Sequence, residues 1–224
     1  MESYYDRRDE ARMTEKGNVR RLPYESEGEI AHYDFRANPS SIPEVLEDFK
    51  PFAHHRGVQK FYRLLRYLNG SRSAFETTDS LLRGPSPNET PENGSGASLQ
   101  VFGRFMLIYR NHPDNLSQTA TDALHAAFHQ ELARIRPGWP MGCIGTAFYW
   151  AWFTSLSPVP NELVTGREFV LRYWAWGSDE AECFENFGTL MQGVGMALCR
   201  VQKRYELWVS LGRPLPDDDV QRVG

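Results

Sequence analysis

Residues 144–156, IGTAFYWAWFTSL, and 168–177, EFVLRYWAWG, decide how this chain is read. Both runs are dense in aromatic and aliphatic side chains that suit the pleated, half-buried surface of a strand. Pro158 and Pro160 lie between them, so the pair is predicted to be an antiparallel hairpin with a long loop over 157–166. Four of the six tryptophans fall here, each pair as Trp-Ala-Trp. Alternation puts Phe148, Trp150 and Trp152 on one face, with Tyr149, Ala151 and Phe153 on the other. On the partner strand Trp174 and Trp176 share a face, opposite Tyr173 and Ala175. With this much apolar surface, one face is expected to be core beneath helices, with cross-strand aromatic pairs. The sharper reading is a Trp/Tyr patch displayed to a partner, because these rings bring large, rigid area at low entropy cost. A base- or sugar-stacking platform is a third reading, disfavoured by the lack of basic residues between the aromatics.

Working outward, the strongest helical period follows the second run. Phe184, Phe187, Met191, Val194, Leu198, Val201, Tyr205 and Trp208 step by three and four, predicting a helix over about 179–208. Asp179, Glu180 and Glu182 at its start and Arg200, Lys203 and Arg204 toward its end suit the helix dipole. Gly188, Gly193 and Gly195 interrupt the pattern, and close approach of a neighbouring element is their expected role. Upstream, Leu116, Ala120, Ala123, Leu124, Ala127, Phe128, Leu132 and Ile135 form the stripe of a helix near 116–135, ended by Pro137-Gly138. Leu99–Arg110 reads as a strand, with Gln100, Phe102, Arg104, Met106 and Ile108 on the face opposite Val101 and Phe105. Val58, Phe61, Leu65 and Leu68 give an earlier helix that Asn69-Gly70 stops, both residues tolerating the left-handed conformation. Short strands are expected at 30–35 and 75–82, and a helix near 43–49 after Ser40-Ser41.

This order gives an α+β chain, a mainly antiparallel sheet with helices packed on one face. The domain is expected over 28–210. Residues 1–27, rich in charge, read as a flexible tail, and 211–224 as a loose one. The stretch GPSPNETPENGSGAS at 84–98 is either a sub-domain boundary or an excursion from one continuous sheet.

A net charge of −4, split evenly between residues 1–98 and 99–224, argues against a global grip on nucleic acid. Cys143, Cys183 and Cys199 lack metal-site spacing and are odd in number, which points to reduced thiols. No run of about 20 apolar residues spans a membrane, and no apolar leader opens the chain, so a cytoplasmic protein is expected. No catalytic or cofactor signature emerges, and the expectation is a chain that is not an enzyme and carries no cofactor or metal. His125 and His129, four apart on one helix face, are the best metal pair, but HAAFH lacks the Glu of the zinc-protease motif. His54-His55 reads as surface. The acidic clusters Glu44/Glu47/Asp48 and Glu76/Asp79 read as solvated. The cluster Asp179, Glu180, Glu182 and Glu185 follows Trp174 and Trp176 directly. An acidic rim beside aromatic anchors is the composition of a protein-binding surface.

The run from Ile144 to Phe153, then Tyr173-Trp-Ala-Trp-Gly177 with the acidic helix start behind it, resembles the immunity proteins of bacterial polymorphic toxin systems, in particular the immunity protein 52 family. The resemblance covers mainly residues 99–205. It implies a stoichiometric inhibitor of a cognate toxin, in that family one with a restriction-endonuclease-like nuclease domain. It also implies that Asp179, Glu180, Glu182 and Glu185 meet a basic substrate groove. The competing classes are a small-molecule- or metal-binding domain with an aromatic pocket, and a structural subunit whose Trp face packs on a sister chain.

Overall fold

A computed structural model of the chain describes residues 3–5, 19–20, 35, 40, 42, 47–89, 96–135, 141–153 and 164–212. Four long strands form an antiparallel sheet in the order β5-β6-β4-β3: β3 is Phe75–Pro87, β4 Leu99–Tyr109, β5 Gly142–Phe153 and β6 Val164–Gly177. Two short strands, β1 (Ser3–Tyr5) and β2 (Val19–Arg20), pair parallel with β5 at its outer edge. Within the stretch expected to be a tail, these five residues are therefore part of the sheet. The α+β class is as expected. The strand expected at 30–35 and the Pro137-Gly138 stop lie outside the described residues.

Among the described residues, three helices cover one face of the sheet: α1 (Arg56–Asn69), α2 (Gln118–Ile135) and α3 (Glu180–Ser210). Their apolar stripes meet Val101, Phe105, Leu107, Tyr109, Ile144, Phe148, Phe169, Leu171 and Tyr173 in one continuous core. Those sheet residues alternate along each strand, as a sheet buried against helices requires. Leu116 departs from its predicted place in the α2 stripe. It ends a short 3-10 turn over His112–Leu116, before α2 begins, and is 42% exposed. Ser117 then starts α2 by accepting a hydrogen bond from the Ala120 amide. The helix expected near 43–49 is, in its described part, a 3-10 turn over Glu47–Phe52.

The stop of α1 occurs where Asn69-Gly70 predicts it, but by another route. Gly70 is extended (φ −72°, ψ 154°) rather than left-handed. Asn69 turns its side chain back to the Leu65 carbonyl and forward to Thr77, so it ties the helix end to β3. β3 runs on to Pro87, pairs with β4 up to Leu99, and Asn88 donates to the Ser98 carbonyl at 2.9 Å. One continuous sheet therefore carries the excursion.

The closest helix contact is at Gly57 of α1 and Gly188 of α3. A Cβ on Gly57 would lie 2.1 Å from the Phe184 carbonyl oxygen, and one on Gly188 2.8 Å from the Gly57 Cα. The expectation of close approach thus holds at Gly188. At Gly195 the nearest atom would be Leu64 Cδ1 at 3.6 Å, an ordinary contact.

The hairpin of β5 and β6 forms, with a register that separates its aromatic runs. Cys143 pairs with Trp174, Phe148 with Phe169, Trp150 with Arg167 and Trp152 with Thr165. No tryptophan of one run faces a tryptophan of the other. One run sits near the hairpin loop and the other at the far end of the sheet, beside the start of α3.

Candidate functional site

The face of the sheet turned away from the helices is the second place where aromatic residues gather. Register sets its rows. Arg83, Phe102, Trp174 and Cys143 lie side by side across β3, β4, β6 and β5; Leu81, Arg104, Arg172 and Gly145 form the next row; Asp79, Met106, Val170 and Ala147 the row after. The face divides in two. Glu76, Met106, Ile108, Val170, Ala147 and Glu168 are buried. Toward the end where β6 turns into α3, Arg83 and Arg172 are exposed, and Phe102, Trp174, Arg104, Gln100 and Leu81 are half-buried.

Trp174 lies beside Phe102, with exposed Arg83 in the same row and exposed Arg172 in the next. Trp176 belongs to the same face but is only 7% exposed, so it does not offer its ring. The Trp176 Nε1–H is buried and has no acceptor, a desolvation cost of about 1–3 kcal/mol. Arg104 stands directly opposite Arg172, an arrangement that destabilises a sheet when the charges are left alone. Asp79 relieves one side, accepting from Arg104 Nε at 2.9 Å and Nη2 at 2.6 Å. Arg172 leans the other way and donates to the Tyr149 hydroxyl.

The four carboxylates behind Trp176 have distinct duties. Asp179 is the N-cap of α3 and accepts from the Glu182 amide at 2.9 Å; Glu182 reaches back to the Ser178 amide at 2.7 Å. Asp179 thus caps the helix, while Glu182 holds the amide of Ser178, the residue before the N-cap. Glu180 pairs with His55 Nε2 at 3.0 Å, and His55 stacks on Phe184. His55, expected at the surface, is thereby half-buried at the α1–α3 junction. Glu185 is exposed, one turn further along. Asp179, Glu180, Glu182 and Glu185 are all exposed at the start of α3, and the first three are engaged in contacts there.

His125 and His129 face the sheet. Their Nε2 atoms lie 3.1 and 2.6 Å from the single Thr146 hydroxyl. The hydroxyl donates once and has two lone pairs, so at most one ring accepts from Thr146 and at least one donates to it. Burial holds the His129 pKa below its usual 6.5. Beside them Arg167 lies over the Phe148 ring and binds Asp122 at 2.7 Å. The pair packs as a polar latch between α2 and β5. Among the described residues, no group of three or more His, Cys, Asp or Glu side chains is placed to hold a metal ion. The second latch is Glu131, a buried carboxylate on α2 that meets Arg134 at 2.5 Å and, from α3, Arg200 at 3.3 Å and Arg204 at 3.5 Å. The Cys183 thiol, buried against the Ala175 carbonyl, is pushed up to about 12 by desolvation and is no nucleophile.

The residues that sequence reasoning did not place at the site are Arg83, Phe102, Arg104 and Arg172. The alternation of β4 did put Phe102 and Arg104 on the face away from the core, which was the available signal. No helix among the described residues is long and apolar enough to cross a membrane. No family model, curated protein or solved structure matches this chain.

Proposed function

We propose that this protein is a stoichiometric inhibitor, an immunity protein that neutralises a cognate bacterial toxin in the cytoplasm by binding it, without turnover. The observation that carries the reading is the open end of the outer sheet face. It combines half-buried Phe102 and Trp174 with Arg83, Arg104 and Arg172, inside a rim of Asp179, Glu180, Glu182 and Glu185. Trp and Arg are the side chains most enriched among residues that dominate binding energy, and a polar rim around an aromatic centre is the usual anatomy of such surfaces. The resemblance of 144–153 and 173–177 to toxin-immunity proteins supports the same class and points to a nuclease effector as the partner.

The reading is tested by affinity capture of the tagged chain from its native lysate, with stoichiometry measured, alongside a Trp174→Ala variant. One near-stoichiometric protein partner is expected, with affinity reduced about 30-fold or more in the variant, the scale of a central aromatic anchor. Capture that Trp174→Ala leaves unchanged would refute this surface as the binding site.

A further inference from the structure

We infer that the partner seats an acidic segment, not a basic groove, on the open sheet face, with its carboxylates on Arg83, Arg104 and Arg172 and its apolar side chains on Phe102 and Trp174. This inference rests on the partner-binding reading above and reverses the electrostatics that the α3 carboxylates alone suggest. Three of those four acids are engaged at the helix start: Asp179 accepts from the Glu182 amide, Glu182 accepts from the Ser178 amide, and Glu180 pairs with His55. The arginines of the sheet are less committed. Arg83 is exposed on the edge strand β3, and Arg172 contacts an uncharged phenol. Asp79 is the acid paired with Arg104, and 43% of the Arg104 side chain stays accessible.

The Arg104–Arg172 pairing is the more telling observation. Like charges directly opposite across two antiparallel strands oppose sheet formation. Departures from local consistency of this kind concentrate at functional sites. A carboxylate placed between the two guanidiniums would turn the repulsion into two charge-assisted hydrogen bonds. Arg83 lies one row along and one strand beyond Arg104, with strands about 5 Å apart, which suits a second acid on the same extended segment.

A phosphate backbone is the other polyanion with this chemistry. The patch is short and ends at the acidic rim of Asp179, Glu180, Glu182 and Glu185, which would repel a strand leaving it in that direction. A folded protein can present a brief acidic stretch and stop. Such docking would leave a nuclease's own basic groove uncovered, so inhibition would act from outside the nucleic-acid site.

The test uses the full chain with two labelled probes, a short oligoglutamate and an oligothymidylate, read by fluorescence anisotropy at low and moderate salt. Wild type is compared with an Arg83→Glu/Arg172→Glu variant, whose fold is checked by circular dichroism. Both substitutions are at exposed positions. Oligoglutamate is expected to bind in a salt-weakened manner and to lose about tenfold or more in affinity on charge reversal. Three outcomes would overturn the inference: no oligoglutamate binding, binding indifferent to the charge reversal, or tighter binding of oligothymidylate. The two readings fail separately. If Trp174→Ala abolishes capture of the partner while oligoglutamate does not bind, the inhibitor surface stands and its acidic occupant falls.

Discussion

Three glycine-to-alanine substitutions at the α1–α3 contact are expected to differ in sign. At Gly188 the new methyl group would sit 2.8 Å from the Gly57 Cα and 3.2 Å from its nitrogen. Both obstacles are backbone, so relief requires the helices to part, loosening Phe61 and Phe187 where they pack across the junction. Overpacking of this kind costs about 1–3 kcal/mol. Alanine in a helix interior returns about 1 kcal/mol relative to glycine. The net expectation for Gly188→Ala is a loss of about 1 kcal/mol, or a Tm lower by about 2–4 °C for a chain of this size. Gly57→Ala is worse, because its Cβ would meet the Phe184 carbonyl oxygen at 2.1 Å and the first turn of α1 returns less propensity. Gly195→Ala, two turns beyond Gly188 on the same helix, meets only Leu64 Cδ1 at 3.6 Å and should stabilise by up to about 1 kcal/mol. Thermal and urea unfolding followed by circular dichroism give the order Gly195→Ala, wild type, Gly188→Ala, Gly57→Ala. Equal stability of the Gly188 and Gly195 variants would refute the reasoning, since propensity alone treats them alike.

Glu131→Gln removes the one carboxylate that Arg134, Arg200 and Arg204 share. The arginines are 30–57% exposed in their side chains, so water screens the loss; a cost of about 1–2 kcal/mol is expected in the urea midpoint with unchanged slope. His129 binds its proton less readily folded than unfolded, because burial disfavours the charged ring. Its contribution is therefore complete above the unfolded value of 6.5 and is lost as pH falls from there toward the lower folded value. Unfolding midpoints should decline over that window, and the decline should flatten in His129→Gln; a rise in stability on acidification would contradict the assignment. Asp179→Ala should cost about 1 kcal/mol through the lost cap, while Asp179→Ser keeps the cap within a few tenths. A binding defect shared by both variants would mark the carboxylate itself as a partner contact, and one seen only in the alanine variant would mark a cap effect.

Elements with a strong period were legible. The steps of three and four in α3 and the run Val58, Phe61, Leu65, Leu68 of α1 encode a buried stripe that any sheet can accept, so they needed no tertiary knowledge. The β5–β6 hairpin was legible as a pairing but not as a register. Register depends on the turn and on which faces are buried, and a one-residue slip exchanges those faces. The expected cross-strand aromatic pairing is met by Phe148 and Phe169, whose rings lie 5.5 Å apart, while the register sets Trp174 against Cys143 and Trp150 against Arg167. The acids at the start of α3 were read by charge alone; only geometry shows Asp179 capping the Glu182 amide and Glu182 holding the Ser178 amide. The basic patch was hidden because Arg83, Arg104 and Arg172 come from three strands far apart in the chain and meet through the order β3-β4-β6. Basic residues missing between the aromatics in sequence are present between them in space.

The proposal that the outer sheet face binds a protein partner beside the start of α3 has a direct physical readout. Amide hydrogen exchange, measured for the chain alone and in the captured complex, tests it most directly. The claim predicts new protection over 99–104 and 172–185, in β4, β6 and the first turns of α3. Protection confined to the far end of α3, around the exposed Leu207, Val209 and Leu211, with 99–104 and 172–185 unchanged, would contradict it.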